Sequence, residues 1–210
     1  MLTLSLDTAL AAATAVVAKD GVVLAVRCEP MARGHQEAIA TLTRDAMTEA
    51  GAAFQDLDRI GVTVGPGSFT GLRVGIAFAK GVALAWNTPL VGIGSLKALA
   101  ASVSGERVLA TIDAGRGQAY LQTPGGPPEQ LPLADALAAA SVSHAGIIVG
   151  SGAPLLAEAL PSAVIDARAF ADPVALARLT ADAPTPGGPP QPLYLRAPDA
   201  KTLAERGVTR

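Results

Sequence analysis

The chain has a single cysteine, Cys28, so it can close no internal disulfide, and packing and hydrogen bonds must hold its fold. Histidine is almost as scarce. His35 and His144 are the two copies, and their spacing supports no bis-histidine metal site. Aromatic residues make up only 3% of the 210 residues, which leaves a core of Ala, Val, Leu and Gly whose elements can approach one another closely. A net charge of −2 and a pI near 5.7 provide no basic excess. That excludes strong stand-alone binding to nucleic acid, though not membership of a complex that handles it. The first residues, Met1 to Leu6, lack a basic n-region and are soon interrupted by Asp7. The apolar stretch Val74 to Trp86 contains Lys80 and is too short to span a bilayer, so a cytoplasmic protein is expected.

Half of the chain is hydrophobic and 16% is charged, enough for a sizeable core. Leu2 to Leu6 reads as a buried strand ending at Asp7. Thr14 to Ala18 and Val22 to Arg27 read as a hairpin around Lys19-Asp20-Gly21. His35 to Ala50 carries Ile39, Leu42 and Ala46 at helical spacing, and Gly51 suits its end. Strands follow at Ile60 to Val64 and Leu90 to Ile93, with a helix from Leu72 to Trp86 between them and another, capped by Ser95, after them. Val108 to Ile112 then ends in Asp113 and returns through Gln118 to Gln122, repeating the opening pattern of strand, terminal Asp, small turn and strand. The repeat points to a duplicated α/β fold with a boundary near Ser102 to Glu106. Beyond it lie Pro/Gly-rich loops at Thr123 to Pro128 and Pro184 to Pro192, with a helix (Leu133 to Ala140), a strand (Ile147 to Val149) and further helical pieces between them.

The segment Gly65-Pro66-Gly67-Ser68-Phe69-Thr70-Gly71 sits between a strand and a helix, where phosphate sites are often built. A Walker A loop needs Gly-Lys-Ser/Thr at its end, but Leu72 and Arg73 follow Gly71. A dinucleotide fingerprint needs an acid about 20 residues on, and no Asp or Glu lies between Asp58 and Glu106. What remains is a tight elbow followed by Gly71, Gly75, Ala79 and Ala83 every four residues, beside a parallel ridge of Val74, Phe78 and Val82. Such a row lets a second helix approach closely, and spacing alone does not say whether that helix is in the same chain or a partner.

The string from Gly65 to Gly81 resembles the signature of the TsaB (YeaZ) family. The likeness also takes in Leu6-Asp7-Thr8, His35 with Glu37, Asp56-Leu57-Asp58, Gly92-Ile93-Gly94-Ser95-Leu96, Ile112-Asp113-Ala114, Gly117 and Tyr120. Later come Gly150-Ser151-Gly152-Ala153 and Pro192-Leu193-Tyr194-Leu195-Arg196. The resemblance implies an actin-like (ASKHA, RNase H-like) ATPase fold of two related lobes, the second reduced: 1–103, 104–191, and a tail 192–210 returning to the first. It further implies a non-catalytic subunit of the complex that adds threonylcarbamoyl to the adenosine beside the anticodon of tRNAs reading A-starting codons. TsaD and TsaE are its implied partners, a homodimer forms when it is alone, and tRNA is reached indirectly. The partner contact is expected on the first two helices, at Ile39, Leu42, Ala46, Gly71, Val74, Gly75, Phe78, Ala79, Val82 and Ala83.

The same resemblance bears on chemistry. TsaD-like proteins carry a His pair where Ser95 and Leu99 stand here, and neither of these is a ligand of that kind. Asp7, Thr8, Asp113, Gly150 and Gly152 mark a vestigial nucleotide site. Ala9 stands where a phosphate-approaching glycine is usual, so no cofactor is expected, with ATP or ADP at a subunit joint as the open alternative. Two other functions compete: an independent actin-like ATPase or phosphotransferase, and a glycoprotease-like peptidase using His35 with Ser68 or Ser95. No H-E-x-x-H motif supports the latter. Cys28 reads as a small filler. Arg73 and Lys80 read equally as orienting groups for a partner's carboxylates or as a solvated face.

Overall fold

The structure, a computed structural model, describes residues 1–184 and 187–195. Its first lobe contains β1 (Leu2–Asp7), β2 (Ala12–Lys19), β3 (Val22–Pro30), α1 (His35–Glu49), β4 (Arg59–Gly65), α2 (Phe69–Trp86), β5 (Leu90–Gly94) and α3 (Ser95–Ala100). The five strands form one sheet in the order β3-β2-β1-β4-β5, with β1 antiparallel to β2 and parallel to β4. β1 is buried at all six positions, as suits a central strand covered on both faces. The hairpin turn forms at Asp20-Gly21, both with positive φ (51° and 82°), the backbone that Asp-Gly favours between right-twisted strands.

The second lobe contains β6 (Val108–Gly115), β7 (Gln118–Gln122), β8 (Pro128–Pro132), α4 (Leu133–Ser143), β9 (Ile147–Val149), α5 (Ala153–Leu156), β10 (Val164–Asp166) and α6 (Pro173–Asp182). Its sheet order, β10-β9-β6-β7-β8, is the first lobe's order read from the other edge. The parallel and antiparallel pairings match strand for strand. The duplication read from two strand-end aspartates therefore extends through the whole topology, and the fold is the actin-like α/β one. Strand β8 begins at the proline that closes the expected loop. Proline at both ends is tolerated because β8 is an edge strand.

The last helix of each lobe packs on the other. α3 lies against β6 as well as β4 and β5, and α6 lies across β1, β2 and β4. Thr180 of α6 donates to the Leu176 carbonyl (3.0 Å) and receives a hydrogen bond from Ser5 Oγ (2.8 Å). A Cβ at Gly61 would overlap Thr180, so β4 needs glycine there to admit the helix. Arg59 then satisfies the open end of α6, donating to the carbonyls of Thr180, Ala181 and Ala183 at 3.2, 2.9 and 2.5 Å. Thus α6, within 104–191 by number, is packed with the first sheet. The described tail is too: Leu193 N donates to Val64 O at 2.7 Å. Arg196 lies outside the described residues.

Candidate functional site

The elbow is built onto the end of β1. Gly65 has φ 110°, and a Cβ at Gly67 would overlap the Ala9 carbonyl oxygen, which instead accepts from Ser68 N at 2.8 Å. Ser68 caps α2, its Oγ accepting from Gly71 N at 3.2 Å, so the helix begins at Phe69, ahead of the expected Leu72. At 18 residues and mean hydropathy 1.2, α2 is long and apolar enough to cross a membrane on length and composition alone, unlike the shorter stretch read from sequence. A third of it is buried in its own lobe.

The small-residue row faces inward. A Cβ at Gly71 would overlap the Thr8 carbonyl oxygen, and one at Gly75 would overlap Thr8 Oγ1, which donates to Gly71 O at 2.7 Å. Ala79 is fully buried in the first-lobe core. The row expected to meet a partner is therefore occupied by β1 and β4 of the same chain. Ile39, Leu42 and Ala46 are likewise buried and hold α1 to the sheet. Val74, Phe78, Val82 and Ala83 are half-buried along the margin of this core. The uncovered face of α2 is a different row: Thr70, Arg73, Ala77, Gly81 and Leu84, the last 86% exposed. A signal for it was present, because α2 carries apolar residues on more of its circumference than one sheet can cover. Between this row and α1 runs a groove of about 390 Å³ floored by Ile39, Val74 and Phe78 and edged by Gln36, Ala40, Arg73 and Ala77.

A larger cleft of about 1050 Å³ separates the lobes, lined by Leu10, Met31, His35, Pro66, Phe69, Ile112, Asp113, Tyr120, Ser151 and Tyr194 among others. It brings together the two strand-end turns, which differ sharply. Asp7 is 2% exposed, and its carboxylate accepts from Ala9 N (2.8 Å), Thr63 Oγ1 (2.6 Å) and the Leu10 amide. Burial pushes its pKa above the ordinary 3.8, against the lowering pull of those donors and of nearby His35. The Ala11 amide is spent on Ala169 O at 3.3 Å. The amides that would cradle a phosphate are thus consumed within the chain. A nucleotide polyphosphate does not fit this turn.

Asp113 is exposed instead. Its carboxylate accepts from Gly115 N at 2.7 Å, and its own amide donates to Ser151 Oγ at 3.2 Å. Gly150 (φ 116°) and Gly152 serve packing: a Cβ at the first would overlap the Thr111 carbonyl, and one at the second would lie 2.6 Å from Thr111 Oγ1. His35 opens α1 with its Nε2 3.1 Å from Leu10 O, so it ties the helix start to the β1 turn. Ser95 is the first residue of α3 rather than its cap, which is Gly94, and its buried hydroxyl has no partner among the described residues. Leu99 packs with Leu96, Ile112 and Val149 in an apolar cluster. Cys28 Sγ accepts from Thr14 Oγ1 at 3.3 Å within the sheet.

The sequence model of the family described as "TsaD: tRNA N6-adenosine threonylcarbamoyltransferase" matches residues 16–182. The chain is 36% identical over 121 residues to the tRNA threonylcarbamoyladenosine biosynthesis protein TsaB of Escherichia coli K12. The match takes in 56% of this chain and spans about half (52%) of that protein. It is also 36% identical over 212 residues to an uncharacterised protein of Mycobacterium tuberculosis H37Rv, covering 96% and 94% of the two chains. Among solved structures, it superposes on an uncharacterised protein with similarity to peptidase YeaZ from Pseudomonas aeruginosa with a TM-score of 0.74 at 24% identity, covering 93% of this chain and 99% of that one. YeaZ from Pseudomonas aeruginosa gives 0.69 at 24% identity, covering 86% and 90%. At that identity the superpositions establish the fold.

Proposed function

The chain belongs to the TsaB (YeaZ) family within the wider TsaD-like family, and from that premise we propose that it serves tRNA threonylcarbamoyladenosine biosynthesis as a non-catalytic subunit that binds TsaD. One observation carries the docking half of this reading. α2 spends one small-residue row sealing itself to β1, and leaves a second row of Ala77, Gly81 and Leu84 uncovered beside the α1 groove. An exposed apolar face of this kind on a rigid helix is what a partner helix covers, and with TsaD absent a second copy of the chain covers it. The closed Asp7 turn supports the non-catalytic half, because its donors already serve the chain's own carboxylate. TsaE joins through the assembled pair, and tRNA is reached through that assembly.

Ala77→Trp tests the surface. Ala77 is exposed, so the variant folds with an unchanged melting temperature, yet the bulk blocks close helix approach and abolishes co-elution with the cognate TsaD. Undiminished co-elution would sink the surface assignment.

A further inference from the structure

Arg73 occupies the ridge between the two hollows, lining both the α1–α2 groove and the interlobe cleft. Its guanidinium carbon sits 3.6 Å from the centroid of the Phe69 ring and 5.9 Å from that of Tyr194. Arg73 Nε donates to Tyr194 Oη at 3.0 Å, and the two rings themselves are 5.4 Å apart at 37°. The contact joins residues 121 apart in sequence, so the C-terminal segment is what locks the arginine. A guanidinium held over an aromatic face with one nitrogen engaged has lost most of its rotamer freedom before any partner arrives. Both rings remain about half exposed, Phe69 at 55% and Tyr194 at 46%, an uncommon state for large aromatics in a chain with so few of them.

The charge around it is unbalanced. No Asp or Glu occurs between Asp58 and Glu106, and the charged residues of α2 are Arg73 and Lys80. Among the described residues no carboxylate pairs with Arg73. A planar, preorganised guanidinium with free nitrogens, set at the edge of an apolar groove, matches a carboxylate in bidentate geometry. Aromatic and arginine residues clustered in this way are also the usual anchors of protein interfaces.

We infer that Arg73, braced by Phe69 and Tyr194, is the specificity anchor of the partner surface and pairs with a carboxylate that the docked partner helix presents next to the α1–α2 groove. This rests on the TsaD-docking reading and adds the chemistry the partner must bring: an acidic residue flanked by small apolar ones. Covering the groove excludes water from the pair, which makes it worth more than an open surface pair.

The test is calorimetric titration of the full chain against the cognate TsaD at low and high salt, with Arg73→Met, Arg73→Lys, Tyr194→Phe and Ala77→Trp. Arg73→Met should weaken binding by roughly 10- to 100-fold and flatten its salt dependence. Arg73→Lys should recover the salt dependence but only part of the affinity, because the planar fork is lost. Tyr194→Phe should cost less than either, since the ring stays and one hydrogen bond goes. Wild-type affinity and salt slope in Arg73→Met, with Ala77→Trp still disrupting the complex, would overturn the anchor and leave the docking surface standing. If Ala77→Trp binds normally, both fall. A fall of several degrees in the melting temperature of free Arg73→Met would assign the arginine to the fold and also overturn the proposal.

Discussion

The two lobes share one topology yet treat the turn after their first strand in opposite ways. In the first, the aspartate is sealed in, and the amides of Ala9, Leu10 and Ala11 are turned onto it or onto the chain. In the second, Asp113 stays at the surface with a single acceptor contact to Gly115. The difference tracks the helix that follows the fourth strand. In the first lobe this is α2, with 18 residues and a full elbow docked on Thr8 and Ala9. In the second it is α5, with four residues, too short to roof the turn. Both lobes contain a tight steric contact: Gly71 presses on the Thr8 carbonyl, and Gly150 presses on that of Thr111. Close backbone approach thus occurs in both lobes, though at different positions along the chain, while the strand ends differ in their chemistry.

Substitutions at the two turns and on α2 test this contrast. The largest effect is expected from Gly71→Val and Gly150→Val, each forcing a side chain into a backbone carbonyl at a cost of roughly 3 kcal/mol or more. Soluble yield and melting temperature would fall for both. If either variant melted like the wild type, the shared packing rule would fail.

Asp7→Asn comes next. The folded pKa of Asp7 is raised, so its favourable contribution is complete below the unfolded value of 3.8 and is lost as pH rises through the folded value. The asparagine variant should therefore gain on the wild type in a melting series carried up to neutral pH and match it in acid. A variant whose melting temperature tracked the wild type at every pH would remove the buried charge from the account of this turn.

The smallest effect lies on α2 itself. Gly81→Ala meets no atom within 4 Å and should stabilise the helix by about 0.5–1 kcal/mol, read as a higher melting temperature, in contrast to Gly71 three turns earlier.

Much of this was legible from the residues. Asp20-Gly21 specified a hairpin, Gln118–Gln122 and Ile147–Val149 were strands as read, and the two Asp-terminated strands exposed the duplication. β8 and β10 were not legible, since a proline-bounded edge strand and a three-residue strand carry almost no alternation to detect. Part of the expected partner face is packed inside the chain, for a different reason. Gly71, Gly75 and Ala79 announce that something comes close, but their spacing is the same whether that something is a foreign helix or Thr8 of the same chain.

Local geometry was fixed by the residues alone: where the chain turns, where glycine permits backbone contact, and that α2 carries apolar residues around most of its circumference, with Arg73 and Lys80 as its charges. Those properties follow from φ/ψ limits and side-chain periodicity within a few residues. Which face of α2 is used up and which is left over, the packing of α3 and α6 on the opposite lobes, and the meeting of Tyr194 with Arg73 across 121 residues emerge from long-range packing alone. Such pairings depend on how distant segments are brought together, and no local pattern encodes the distance between them.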